Sequence, residues 1–251
     1  MYFNGQGKLS IAALDANGVP GAFRWLGNVP DFAPAFETSK VEHKESWSGQ
    51  KLTDKNLPTE NKASFSATLE DWSKENLAFA TKGTIGSIEA GTVTDEMSPA
   101  ELVSGDIWAL KNPKISALTI VDSTGSPVTL DSDNFEADLN FGTVTMKDMT
   151  GLTLPLKASY TKTAVDLVTF FTEGVREVAL RFEGVNVADG NKRVLVELYR
   201  IATDPTQELP LITEAFGQFT VEGNCLIDAT KGDDPLYGKF GRMVYVDTPS
   251  A

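Results

Sequence analysis

Histidine and cysteine are almost missing from this chain of 251 residues, which has one of each, His43 and Cys225. A single cysteine excludes an internal disulfide framework and suits a reducing compartment. It stands in the strand-like stretch GQFTVEGNCLID, where a buried, inert thiol is the expected state. The histidine sits among charged neighbours in KVEHKESW. With no serine or cysteine in a recognisable nucleophile motif, it reads as a solvated residue at a strand end, not as a general base. No apolar run approaches the roughly 20 residues of a membrane span, so a soluble protein is expected. The opening MYFNGQGKLSIAALDANGVPGAFRWLGN lacks the basic start and unbroken apolar stretch of an export signal.

Basic charge is also short. There are 22 Lys and Arg against 35 Asp and Glu, a formal charge of −13. Residues 1–125 hold 11 basic and 16 acidic side chains and residues 126–251 hold 11 and 19, so the acidity runs along the whole chain. Such a protein lacks the basic footprint that gripping phosphates requires. Metal and nucleotide motifs are equally thin. DSDNFEAD matches a calcium loop only in its first two acids, with Phe135 at a ligand position and no turn glycine. DATKGDD reads as an exposed acidic turn. GQGKLS carries two glycines of a dinucleotide fingerprint but follows no strand and has Ser10 in place of the third, so a flexible hinge explains it better. Catalytic residues, cofactor and metal are all expected to be absent.

What is present is strand patterning. Leu9, Ile11 and Ala13 alternate with Lys8, Ser10 and Ala12, and Asp15 to Gly18 then supplies turn chemistry. KASFSATLEDW places Ala63, Phe65, Ala67 and Leu69 on one face and Ser64, Ser66, Thr68 and Glu70 on the other; ISALTIVD and VREVALRFEG behave alike, with Val178, Leu180 and Phe182 together. Asp189-Gly190-Asn191 tolerates positive φ and predicts a hairpin into VLVELYRI. One helix is expected in EDWSKENLAFATKG, with Ser73 as N-cap, Glu75 in the first turn, Trp72 and Leu77 as a hydrophobic staple, and Gly83 closing it after Lys82. MSPAELV predicts a second helical turn, capped by Ser98 with Pro99 and Glu101 behind it. The less regular residues 95–172 read as a second small β lobe or, preferably, as an elaboration within a single domain spanning 1–251.

Several segments together resemble the major tail tube proteins of long-tailed, double-stranded DNA phages: YFNGQGKLSIAAL, RWLGNVPDF, VEHKESWSGQKLTDKN, SFSATLEDWSKENLAFATKG, LRFEGVNVADGNKRVLVELYRIATDP and FTVEGNCLID, in that order. Residues 1–90 and 174–230 carry the likeness, and the central stretch matches less distinctly. The resemblance implies a mainly β, antiparallel β-sandwich or barrel-like tail tube fold with one short packed α-helix, a long loop and an N-terminal arm. It implies a structural virion protein, not an enzyme. Hexameric rings of it would stack into a tube that serves as the conduit for DNA ejection. Its partners would be further copies of itself, the tape measure protein and the tail tip and terminator proteins. DNA would pass without specific binding, and no membrane insertion by this chain is implied. Its place would be the virion tail, and the host cytoplasm before assembly.

The segment HKESWSGQKLTDKNLPTENK is long, mixed in charge and strand-flanked, and by itself reads as a mobile solvated hairpin; in that family its place is a loop that reaches the adjacent ring, which makes His43, Glu45, Trp47, Lys51, Asp54 and Lys55 the expected ring-stacking residues. Tyr2 and Phe3 are expected to anchor an arm on a neighbouring subunit, hinged at Gly5 and Gly7. A lumen that lets DNA slide should be rich in carboxylates, and Glu70 and Asp71 are its candidates. The competing expectation is a β-sandwich that binds carbohydrate or a receptor on a virion. Trp25, Trp47, Trp72 and Trp108 lie in separate elements, which argues against a shared sugar platform.

Overall fold

Alternation of apolar and polar residues becomes strand almost everywhere in the computed structural model, which describes residues 2–231 and 234–247. The strands are β1 Gly5–Ala13, β2 Arg24–Trp25, β3 Asp31–Lys44, β4 Thr53–Leu69, β5 Ile85–Ile88, β6 Gly91–Met97, β7 Ile107–Ala109, β8 Ile115–Val121, β9 Phe135–Asp138, β10 Thr143–Met146, β11 Lys157–Lys162, β12 Val165–Val168, β13 Glu177–Asn186, β14 Lys192–Thr203, β15 Phe219–Cys225 and β16 Gly241–Tyr245. The single α-helix among the described residues, α1, is Lys74–Ala80. The fold is therefore mainly β and sandwich-like, as its patterning predicts. Residues 2–84 and 168–247 form one compact unit and Ile85–Leu167 another, and the chain enters and leaves the second through the paired strands β5 and β12.

The larger unit is one antiparallel sheet that forks. Its order is β2-β1-β13-β14-β15-β4-β3, with β16 also on β14. Val178 faces Ile201 and Leu180 faces Leu198, so Tyr199 and Arg200 oppose Ala179 alone, a bulge that bends β14. Before it, Val194 to Leu198 pair with β16; beyond it, Ile201 to Thr203 pair with β15. The two branches fold face to face over Leu9, Phe65, Leu69, Leu180, Ile201 and Phe219, all 6% exposed or less. Phe32 of β3 lies 5.9 Å from Phe182 of β13 across the layer. Fully burying such side chains stabilises by about 1.5–3 kcal/mol each, which is what holds the branches together.

Helix α1 packs on this core through Ala80 and is pinned by the buried Asn76, which donates to the carbonyls of Leu26 (2.9 Å) and Asp71 (3.0 Å) and accepts from Arg24 (2.6 Å). Its ends differ from the expected chemistry. Ser73 has the extended backbone of an N-cap, yet its hydroxyl makes no capping bond; Asp71 instead accepts from the Ser73 N–H at 3.0 Å. At the other end Lys82, with φ of 50°, takes the left-handed position. Gly83 then donates to the Ala78 carbonyl at 2.8 Å, completing a Schellman turn. Gly83 is required for space: a Cβ there would lie 1.7 Å from the Thr169 carbonyl oxygen.

The hairpin after β13 forms as predicted, with Gly190 and Asn191 both at positive φ, and Asp15 accepts from the N–H groups of Asn17 and Val19 in the first turn. In β1 the alternation breaks at its end, where Ala12 is buried and Ala13 exposed. The smaller unit places two three-stranded sheets, β7-β10-β9 and β6-β11-β8, around Trp108, Val144, Met146, Ile120, Leu156 and Tyr160. MSPAELV makes no helix. The Ser98 N–H donates to the Leu156 carbonyl and the Ser98 hydroxyl accepts from the Leu156 N–H, at 2.9 Å each, so that Ser98 is bound to a residue far along the chain and caps nothing.

Candidate functional site

Strands β3 and β4 are long enough to leave the sandwich behind. From Ala63 to Thr68 β4 pairs with both β3 and β15, but from Glu37↔Lys62 to Lys44↔Thr53 the two strands pair only with each other. Apart from Ser39 the ribbon strands are exposed throughout this stretch. At about 3.3 Å per residue, the eight residues 37–44 reach roughly 26 Å beyond the sheet. The stretch expected as a long loop is thus a β-ribbon with a tip at 45–52. The solvated-hairpin reading of this segment matches the pairing, whereas periodicity does not mark its strands, since it does so only where one face is buried.

Glu45 builds the tip. It is 4% exposed, and its carboxylate accepts from the N–H groups of Trp47 (2.8 Å), Ser48 (2.9 Å) and Leu52 (3.2 Å) and from the Ser48 hydroxyl. These bonds, the Ser48 hydroxyl first, hold its pKa down to about 2. Glu45 therefore serves the turn, with its ionised carboxylate directed inward onto these donors. Trp47 is its opposite, 77% exposed at the tip. Lys51 (φ of 50°) and Lys55 are exposed, and His43 Nδ1 meets Asp54 across the ribbon at 2.5 Å, well exposed to solvent.

The N-terminal arm is bound to its own subunit. Buried Asn186 accepts from the Asn4 N–H and donates to the Tyr2 carbonyl, both at 2.8 Å, while the rings of Tyr2 and Phe3 remain exposed. Gly5 and Gly7 are not a hinge. They lie inside β1 opposite Asn186 and Gly184, and a Cβ on Gly7 would come within 2.3 Å of the Glu183 carbonyl oxygen. Phe3 overlooks a cleft of about 1130 Å³ that Phe32, Phe36, Phe182, Phe240 and Met243 line.

Glu70 and Asp71, the lumen candidates, stand past the end of β4. Glu70 accepts from Asn28 (2.5 Å) and Gln218 (2.6 Å), and Asp71 from the Ser73 N–H. Both carboxylates clamp the turn into α1, so neither is a free position on a lumen strand. Of the tryptophans, Trp108 is buried in the smaller unit, and Trp72 stacks edge-on against Phe219 at 5.3 Å. Trp25 and Trp47 are exposed on different elements. Cys225 is buried beside Ala63 and Ile201, and burial pushes its thiol up to about 11.

In DSDNFEAD, Asp131 and Asn134 close a turn on each other's backbone and Phe135 to Asp138 become β9. In DATKGDD, Asp228 is buried and accepts from the Thr230 N–H and hydroxyl, while Gly232 and Asp233 lie outside the described residues. Among the described residues no three His, Cys, Asp or Glu side chains gather to hold a metal ion, and no helix is long and apolar enough to cross a membrane.

One surface had no sequence signal. Between β14 and β15 the chain runs as a strap along α1, from Thr206, whose N–H donates to the Ala80 carbonyl at 2.7 Å, to Gly217, whose carbonyl accepts from Trp72 Nε1 at 2.7 Å. Leu209 packs inward on the core while Leu211, Ile212 and Phe216 are 82%, 98% and 92% exposed. The apolar content of ELPLITEAF suggests burial; only the pinned ends show that it faces out.

A family model described as "Protein of unknown function UCP028589" matches residues 2–244. No curated protein matches the chain.

Proposed function

The chain belongs to the family Protein of unknown function UCP028589, and we propose that it is a structural virion protein, a tail tube subunit whose rings stack into a conduit for DNA. The observation that carries this reading is the ribbon of β3 and β4. A two-stranded hairpin is marginal by itself in water, so a protein that extends one with Trp47 at its tip has a use for it outside its own sandwich. An arm on one side of a subunit and a receiving surface elsewhere make a heterologous contact, which generates rings or filaments. The resemblance of the sequence to tail tube proteins supplies the form of the assembly, hexameric rings with tape measure, tip and terminator proteins as partners. The sugar-binding alternative has less support, since Trp72 and Trp108 are engaged in packing.

Electron microscopy of the purified protein, alone and with tail-assembly partners, tests the reading. Rings or tubes are expected, in the presence of chelator as in its absence. Replacing residues 44–61 with a short Gly/Ser linker should abolish tubes while the sandwich stays folded, because the removed segment packs on nothing else within the chain. A strictly monomeric mass at high concentration with those partners present would sink the proposal. The assembled tube should not retain duplex DNA at moderate salt, as the overall charge of −13 opposes phosphate contact.

A further inference from the structure

We infer that the strap over α1, residues 206–217, is the receiving surface for the β3–β4 ribbon of a second copy of this chain. The inference rests on the self-assembly proposed above and goes beyond it in naming both faces of one contact. Exposed apolar side chains on a mobile loop would signify little, but this strap is fixed at Thr206 and Gly217 and by Leu209 in the core. Leu211, Ile212 and Phe216 are therefore presented to solvent from a held backbone, and a surface that is already ordered binds without a large ordering cost.

Charge selects the occupant. No Lys or Arg occurs between Arg200 and Lys231, and the strap itself carries the exposed Glu208 and Glu214. A second strap would meet it with like charge. The ribbon is the complementary surface. Residues 40–55 hold Lys40, Lys44, Lys51 and Lys55 against Glu42, Glu45 and Asp54, a formal charge of +1 (4 − 3), and the Glu45 carboxylate is turned into the tip. In a chain of charge −13 this is a locally basic segment. It is also apolar in the right way, since Val41 and Leu57 face each other in the ribbon register, 57% and 59% exposed, with Trp47 beyond them. Apolar contact at the centre with lysine against glutamate at the rim is the usual anatomy of a specific interface.

The test uses the full chain. Zero-length carbodiimide cross-linking of the assembled protein should join Lys51 or Lys55 of one copy to Glu208 or Glu214 of another. Reversing the strap (Glu208→Lys with Glu214→Lys) or the ribbon (Lys51→Glu with Lys55→Glu) should raise the concentration needed for assembly about tenfold or more. Combining all four substitutions should restore most of it. Ile212→Asp, at a side chain that packs on nothing, should weaken assembly with the thermal midpoint of the monomer unchanged. Assemblies that cross-link through other surfaces and ignore both reversals would overturn this contact and leave the tube reading standing. A protein that stays monomeric at every concentration, with assembly partners present, would overturn both.

Discussion

The two halves of the β3–β4 hairpin are one pair of strands in two environments. At its base Ala63, Phe65, Ala67 and Leu69 are all 3% exposed or less, and the residues between them are half-buried. Beyond Lys62 the same strands continue with almost every side chain in water. Backbone pairing runs through both, regular at the base and interrupted in the outer half by register shifts between Ser39 and Lys40 and between His43 and Lys44. The base contributes to stability through packing, and the outer half contributes reach. The largest consequence falls at Phe65. Its removal by Phe65→Ala leaves a cavity in the core over Gly223 and should destabilise the protein by about 3–5 kcal/mol. Urea denaturation of the two proteins measures this. A loss below about 1 kcal/mol would mean that the base is no better packed than the arm.

Chemical reactivity should follow the same division. Cys225 pairs in register with Ala63 at the base, and burial raises its thiol from 9.0 to about 11. At pH 8 that lowers the thiolate fraction about a hundredfold, so alkylation of the native protein should be slower than that of the urea-unfolded chain by at least this factor. A cysteine placed at Lys55, exposed in the ribbon, should react at the rate of a free thiol. Equal rates for the two positions would erase the distinction between base and arm.

How much of this was legible beforehand follows from the physics of each element. The base was readable because one wet face and one dry face force a period of two, and KASFSATL shows it without interruption. The Gly190-Asn191 turn was readable because positive φ restricts residue choice. The outer ribbon was legible only as a solvated hairpin without strand bounds, since with both faces wet nothing selects alternation in VEHKESWSGQKLTDKN. The glycines were legible only in part. Gly7 reads as a hinge but lies within β1, where the Glu183 carbonyl leaves no room for a Cβ; Gly83 does close the helix, and its lack of a side chain is also required by the Thr169 carbonyl, which the sequence does not show. Ser98 likewise has the spacing of a cap and is drawn instead to Leu156. Trp47, Lys51 and Lys55 stand exposed on the ribbon, whereas the Glu45 and Glu70 carboxylates are engaged in hydrogen bonds, a difference that sequence cannot show because it does not tell a free carboxylate from a bonded one.

The tip adds a pH dependence to the outer half. Glu45 has its pKa lowered from 4.5 to about 2, mainly by the Ser48 hydroxyl and then by backbone N–H groups. A carboxylate so lowered supports its turn fully above about pH 4.5, and the support is lost as pH falls through about 2. The protection of the Trp47 and Ser48 amides, taken relative to the unfolded chain at the same pH, should therefore hold down to about pH 3 and fall below it. Glu45→Gln should accelerate the same two amides at neutral pH while leaving those of Phe65 and Val221 unchanged, since the glutamine amide nitrogen accepts no hydrogen bond. Protection of Trp47 and Ser48 that survived Glu45→Gln would show that the tip is held by something other than this carboxylate.

The smallest effect is expected at Val41 and Leu57, and its smallness is the informative part. They oppose each other on the ribbon and remain more than half exposed, so the pair gives the isolated subunit only a cross-strand contact of about 0.2–1 kcal/mol. Replacing both with threonine keeps β-branched or strand-compatible side chains and removes apolar surface that water already covers. The urea midpoint of the monomer should move by less than that cross-strand amount. In the assembled protein the same two side chains would lie between copies, and their loss should then appear as a raised assembly concentration with no matching change in monomer stability. If instead the monomer lost as much stability as a buried pair would cost, the ribbon would be folded against its own subunit in solution, and the contrast between base and arm would collapse.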